Sequence, residues 1–172
     1  MTVSAVLIAA ALTIFIIESY IPPIVPVYGV KPGFSNIITL VTLALWNKRQ
    51  SFFILMIRII LAAVITGSGM AVLYSLSGGI FSFAAMSISL YLTRGRHIPA
   101  VSIAGGVFHN IGQLLAASMV LGSVAVFTYL PPLVSAGIAA GFFTGIVSGL
   151  CIKNRYISNL FKNLCRKENL ET

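Results

Sequence analysis

Two stretches decide what this chain can become. From Ile59 to Thr93, and again from His97 to Ile152, there is no aspartate, glutamate, lysine or arginine. Soluble domains carry about 25 % charged residues. Here the share is 8 %, with 58 % hydrophobic residues and a mean hydropathy of +1.02. A bilayer core of about 30 Å takes about 20 apolar residues per helix. The chain therefore reads as an all-α, polytopic membrane protein of about six spans with little else. The spans occupy residues 1–152, and a basic amphipathic tail follows over residues 153–172.

Helix breakers and polar clusters divide the apolar runs. The spacing predicts helices over Val3–Tyr20, Phe34–Trp46, Ser51–Thr66, Met70–Leu92, Pro99–Gly122 and Ser123–Ile152. The first ends at "IPPIVPVYGVKPG", which is too rich in proline to continue a helix. The second is short for a crossing. Either it tilts or its entry loop dips into the membrane, where irregular backbone survives only if buried in protein or lining a cavity. "GSG" at Gly67–Gly69 makes a tight turn, and Pro131–Pro132 either kinks the last helix or marks its true start. The N-terminal run lacks a basic leader segment and reads as the first span rather than a signal peptide.

The net charge of +8 is not a nucleic-acid footprint, because the cations sit in short clusters between spans. Lys48, Arg49, Arg94, Arg96, Lys153, Arg155, Lys162, Arg166 and Lys167 fall on one side, and Lys31 on the other. The positive-inside rule then places both termini in the cytoplasm, with an even number of spans. In the tail, Tyr156, Leu160, Phe161 and Leu164 recur at helical spacing, a pattern suited to the inner membrane surface and its anionic lipid. Cys151 and Cys165 read as free thiols.

Ionisable and amide side chains within such spans are expensive and usually functional. Glu18 closes the first helix, either as a site residue or in the headgroup region paired with Lys31. Lys31 is a lid residue or a plain surface lysine. Arg58 falls mid-helix and needs a partner, whether Glu18, a backbone carbonyl or an anionic ligand. His109 and Gln113 share a helix face with Gly105 and Gly112, and Asn110 stands beside them. That group either lines a cavity or bonds helices together. Tyr74, Ser77 and Gly78 share a face of the fourth helix, and Asn36 is a cap or a ligand contact. The expected substrate-binding set is thus Glu18, Lys31, Asn36, Arg58, Tyr74, Ser77, His109, Asn110 and Gln113, open to the outer side beneath a lid at Pro22–Gly33. Two ridges of small residues predict close helix contact or a partner interface. One is Ala5, Ala9 and Thr13, and the other is Gly137, Gly141, Gly145 and Gly149. Glu18 points almost opposite Ala9 on its helix.

There is no P-loop, no HExxH and no aspartate anywhere, and the acids are Glu18, Glu168 and Glu171. A serine–histidine–aspartate set and a carboxylate cage for Mg²⁺ and diphosphate are both excluded. No metal or cofactor is expected, and catalysis by this chain alone is disfavoured.

The blocks "ESYIPPIVPVYGVKPGFSNIITL", "LYSLSGGIFSFAAM" and "SIAGGVFHNIGQLLAA", with the mid-helix Arg58, resemble one family. It is the bacterial membrane proteins named heptaprenyl diphosphate synthase component I, also grouped as Gx transporter family proteins. The likeness spans residues 1–150. The name implies a subunit of an enzyme extending isoprenoid chains for menaquinone, the catalytic partner being a separate soluble prenyl synthase. The grouping implies the S component of an energy-coupling-factor transporter, a six-helix binding protein that docks on a membrane T component with two ATPases. In such proteins an alanine-rich ridge on the first helix makes the docking contact. Ala5, Ala9 and Thr13 match it except at the third position. The span count, topology and polar cavity favour the S-component reading, with a small polar or anionic ligand, or a quinone or isoprenoid precursor. An assembly subunit of a membrane redox complex is a third class.

Overall fold

The computed structural model describes residues 2–20, 33–67 and 69–171. Helix α1 covers Thr2–Ser19, α2 Asn36–Leu45, α3 Lys48–Thr66, α4 Gly69–Leu92 and α5 Ile98–Leu121. A 3-10 turn over Val124–Tyr129 leads into α6, Leu130–Lys153, and α7 covers Arg155–Glu171. Among the described residues, four helices are long and apolar enough to cross a membrane: Lys48–Thr66, Val72–Leu92, Ile98–Leu121 and Val124–Lys153, the last counted with its 3-10 turn. Their outer faces carry large apolar side chains such as Met119, 81 % exposed, and Val64, a pattern that belongs in lipid.

Local chemistry sets the boundaries. The Asn47 side chain accepts from Gln50 N–H at 2.8 Å, so α3 starts at Lys48, three residues before the expected Ser51. Gly67 and Gly122 close α3 and α5 in the left-handed conformation, at φ 62° and 61°. Pro131 and Pro132 sit in the first turn of α6, where their missing N–H groups cost nothing, so the pair starts the helix rather than kinking it.

The scaffold is the packed series α4–α5–α6, and small residues bring these helices close. A side-chain carbon on Gly141 would lie 2.7 Å from Ile103 Cα and 2.8 Å from the Ser102 carbonyl, and one on Gly145 2.7 Å from Pro99 Cα. Gly137 meets the backbone of Gly106 in the same way. Ser102 and Thr144 hydroxyls bond at 2.7 Å across this seam. The α6 ridge is therefore taken up inside the chain over Gly137, Gly141 and Gly145, and is no surface for a partner. Only Gly149 has nothing facing it within 4 Å. The α1 ridge differs. Ala5, Ala9 and Thr13 are all exposed, while Ala11, Phe15 and Glu18 form the buried face.

Helix α2 is the exception to the spanning pattern. Ten residues rise about 15 Å, half the thickness of a hydrocarbon core. Its last residues lie at the end where the α2–α3 and α4–α5 turns and the end of α6 come together, since Leu43, Lys48, Arg94, Ile98 and Ile152 line one groove there. Its first residues therefore lie about 15 Å in from that end, level with Arg58 on α3 and His109 on α5. Helix α7 docks at the same basic end through Phe161, which is buried edge-on against Trp46, ring centroids 5.7 Å apart. Tyr156 and Leu160 stay exposed.

Replacing Gly141 by Ala forces the α5–α6 seam apart and costs about 1–3 kcal/mol. Thermal unfolding in detergent reads this as a clear fall in midpoint, whereas Gly149→Ala leaves the midpoint where it was.

Candidate functional site

The start of α2 raises a problem of backbone chemistry. The first N–H groups of a helix have no partner within it, and these lie deep in the molecule. Ser35, at the cap position, makes no side-chain cap bond. The Glu18 carboxylate does the work from another helix. Its Oε1 accepts from Gly33 N–H and from Phe34 N–H, the latter at 3.3 Å. The next two amides close back on the turn, Asn36 N–H to Gly33 O and Ile37 N–H to Phe34 O, each at 3.0 Å.

Around this turn the site is assembled from three more helices, α3, α4 and α5. Arg58 on α3 donates through Nη1 to the Ser35 hydroxyl, and attracts Glu18 through the interior. Asn36 on α2 donates to Ser82 Oγ on α4 at 3.1 Å. The His109 ring from α5 lies between two glycines. A side-chain carbon at Gly33 would sit 2.9 Å from its Cδ2, and one at Gly78 2.8 Å from its Cε1. Gln113, one turn along, packs its Cγ against Gly78 as well. Glycine is required twice over at position 33, where φ is +83°. Glu18, Arg58 and His109 are only 2 %, 3 % and 4 % exposed.

The arrangement leaves polar capacity unused. Among the described residues, Asn36 Oδ1 and Arg58 Nε are buried with no hydrogen-bond partner, and the His109 ring is engaged by the Gly78 backbone. Such atoms cost free energy unless something polar meets them. An acceptor and a donor on facing helices, with the His109 ring beside them, suit a small polar group.

A family model matches residues 7–151, and its description is heptaprenyl diphosphate synthase component I. The chain belongs to the heptaprenyl diphosphate synthase component I family. No curated protein and no solved structure matches it. The matched segment takes in the whole polar layer and ends before α7.

Of the residues expected at the site, the structure brings Glu18, Asn36, Arg58, His109 and Gln113 together. It places three elsewhere. Tyr74 is packed among Leu114, Ala117, Val126 and Leu133. Ser77 donates to Gly112 O at 2.6 Å and ties α4 to α5. Asn110 is rotated about 100° from His109 on α5, and donates to Leu133 O on α6 at 2.7 Å. Each makes a packing contact, and Asn110 Oδ1 is buried with no hydrogen-bond partner among the described residues. Lys31 and the rest of the expected lid before Gly33 lie outside the described residues. Sequence reasoning missed Ser35 and Ser82 as site residues; it took Gly33 only as the end of the lid and Gly78 only as a neighbour of Tyr74 and Ser77. Gly78 and Ser82 are four apart on α4, so the helical period was available as a signal.

Removing one member of a buried charge pair leaves the other uncompensated, at about 3–5 kcal/mol. Glu18→Leu should therefore cost about that much, and Glu18→Leu combined with Arg58→Met less than the sum of the two single variants. A double-mutant cycle on thermal stability in detergent should return a coupling of about 1–3 kcal/mol, the double variant being more stable than additivity predicts.

Proposed function

We propose that this protein is the membrane-embedded, non-catalytic component that works with a separate prenyl-extending synthase subunit. The observation that carries the reading is the family match over residues 7–151 of a chain with apolar, membrane-length helices and no aspartate. Chain extension from diphosphates needs a carboxylate cage for Mg²⁺, so the chemistry belongs to the partner. The buried layer of Asn36, Arg58, His109 and Gln113 then binds the polar end of an isoprenoid or quinone precursor, with Glu18 holding the layer in place.

The orientation proposed is six crossings, with both termini in the bacterial cytoplasm. Helix α1 makes one, and the short α2 belongs to a second. The basic turns gathered at one end support it, since positive loops remain inside. Interrupted helices with a buried end are a recurring device for binding solutes near mid-membrane.

One observation favours a second reading, the substrate-binding S component of an energy-coupling-factor carrier. It is the exposed stripe Ala5–Ala9–Thr13, a small-residue face directed outward on α1. Purifying the tagged protein from its native membrane in mild detergent separates the two. The synthase reading expects a soluble, aspartate-rich prenyl synthase in near-equal amount, and its loss on Ala9→Leu if α1 is the contact. Recovery of a membrane T component with paired ATPases supports the carrier instead. Recovery of neither contradicts both.

A further inference from the structure

At the basic end, away from the polar layer, α2, α3, α4, α5 and α6 frame a groove of about 330 Å³. That is within the range of small-molecule sites. Its walls are apolar, formed by Leu43, Leu90, Ile98 and Ile152, and two cations, Lys48 and Arg94, line it as well. Neither cation has an ion-pair partner among the described residues. A third feature is Ser87, which also lines the groove and whose Oγ is buried without a hydrogen-bond partner among the described residues.

We propose that this groove binds an amphiphile with a phosphate headgroup and a hydrocarbon tail. The two cations meet the phosphate, the Ser87 hydroxyl takes an ester or phosphate oxygen, and the apolar walls take the start of the tail. Arg94 is held left-handed at φ 50°, alone among the described non-glycine residues, with Gly95 beside it at φ 71°. That turn keeps the arginine beside the groove as α4 ends. The exposed Tyr91 extends the lining onto the outer surface, as a tail lying partly in the bilayer requires. Basic pockets between membrane helices at the cytoplasmic face select anionic headgroups by this chemistry. Two sources carry it, a phospholipid of the inner leaflet or an isoprenyl diphosphate. The inference does not depend on the synthase reading, because it concerns binding by this chain alone.

The test uses the full chain in neutral detergent, with native mass spectrometry of bound ligand. Phosphatidylglycerol is compared with phosphatidylcholine, and farnesyl diphosphate with farnesol. At least one anionic probe should bind one-to-one and at least tenfold more tightly than its neutral-headed or zwitterionic counterpart. Preference in the lipid arm assigns the groove to phospholipid, and preference in the isoprenoid arm assigns it to the diphosphate. The Lys48→Gln/Arg94→Gln pair should weaken binding at least tenfold, and Ala44→Phe should do so by filling the groove without changing charge. Arg49→Gln/Arg96→Gln, an equal charge change outside the groove, should leave binding intact. Equal binding of charged and uncharged probes overturns the proposal. So does unaltered binding in both the Lys48/Arg94 and the Ala44 variants, with folding checked by thermal unfolding.

Discussion

The structure depends on one carboxylate meeting two backbone amides. Irregular backbone within a bilayer must find its hydrogen bonds inside the protein. Glu18 supplies them to Gly33 and Phe34, and so lets a ten-residue helix begin deep in the molecule. A negative charge at a helix N-terminus is also favoured by the helix dipole. Arg58 answers that charge from α3 and fixes Ser35. Without these contacts Asn36 has no reason to face Ser82, nor Gly33 to lie against His109.

The polar layer also needs a scaffold on which to be arranged, and the glycine and serine seams provide it. Between lipid-facing helices there is no hydrophobic gain, so close packing and interhelical bonds hold them together. Gly106 with Gly137, Gly141 with Ser102 and Ile103, and Ser77 with Gly112 bring α4, α5 and α6 into backbone contact. This places His109 and Gln113 against Gly78 without room for adjustment. Helix α1, by contrast, spends its small residues on an exposed face. The small residues of α4, α5 and α6 are thus used within the molecule, and those of α1 are exposed.

Much of this was legible in the residues. Charge-free runs and proline or glycine breaks gave the helices to within a few positions, and Arg58 in mid-helix demanded a partner such as Glu18. The short second helix was visible too, because only about a dozen apolar residues separate Gly33 from Lys48. What periodicity did not reveal was direction. His109 and Asn110 are neighbours in sequence yet face different helices, and Ser77 and Gly78 likewise divide between packing and site. The same limit hid the use of the α6 glycines, since a small-residue ridge looks identical whether α5 or another protein lies on it. Ser35 was passed over because a serine before a helix usually caps its own turn, whereas here it accepts from Arg58.

The central claim is that Glu18 secures the backbone where α2 begins. Hydrogen–deuterium exchange of the full chain in detergent, comparing wild type with Glu18→Leu, tests it directly. The account predicts slow exchange over residues 33–37 in the wild type and rapid exchange there in the variant, with α4 and α5 unchanged. Rapid exchange of that turn in the wild type, or the same slow exchange without the carboxylate, would contradict it.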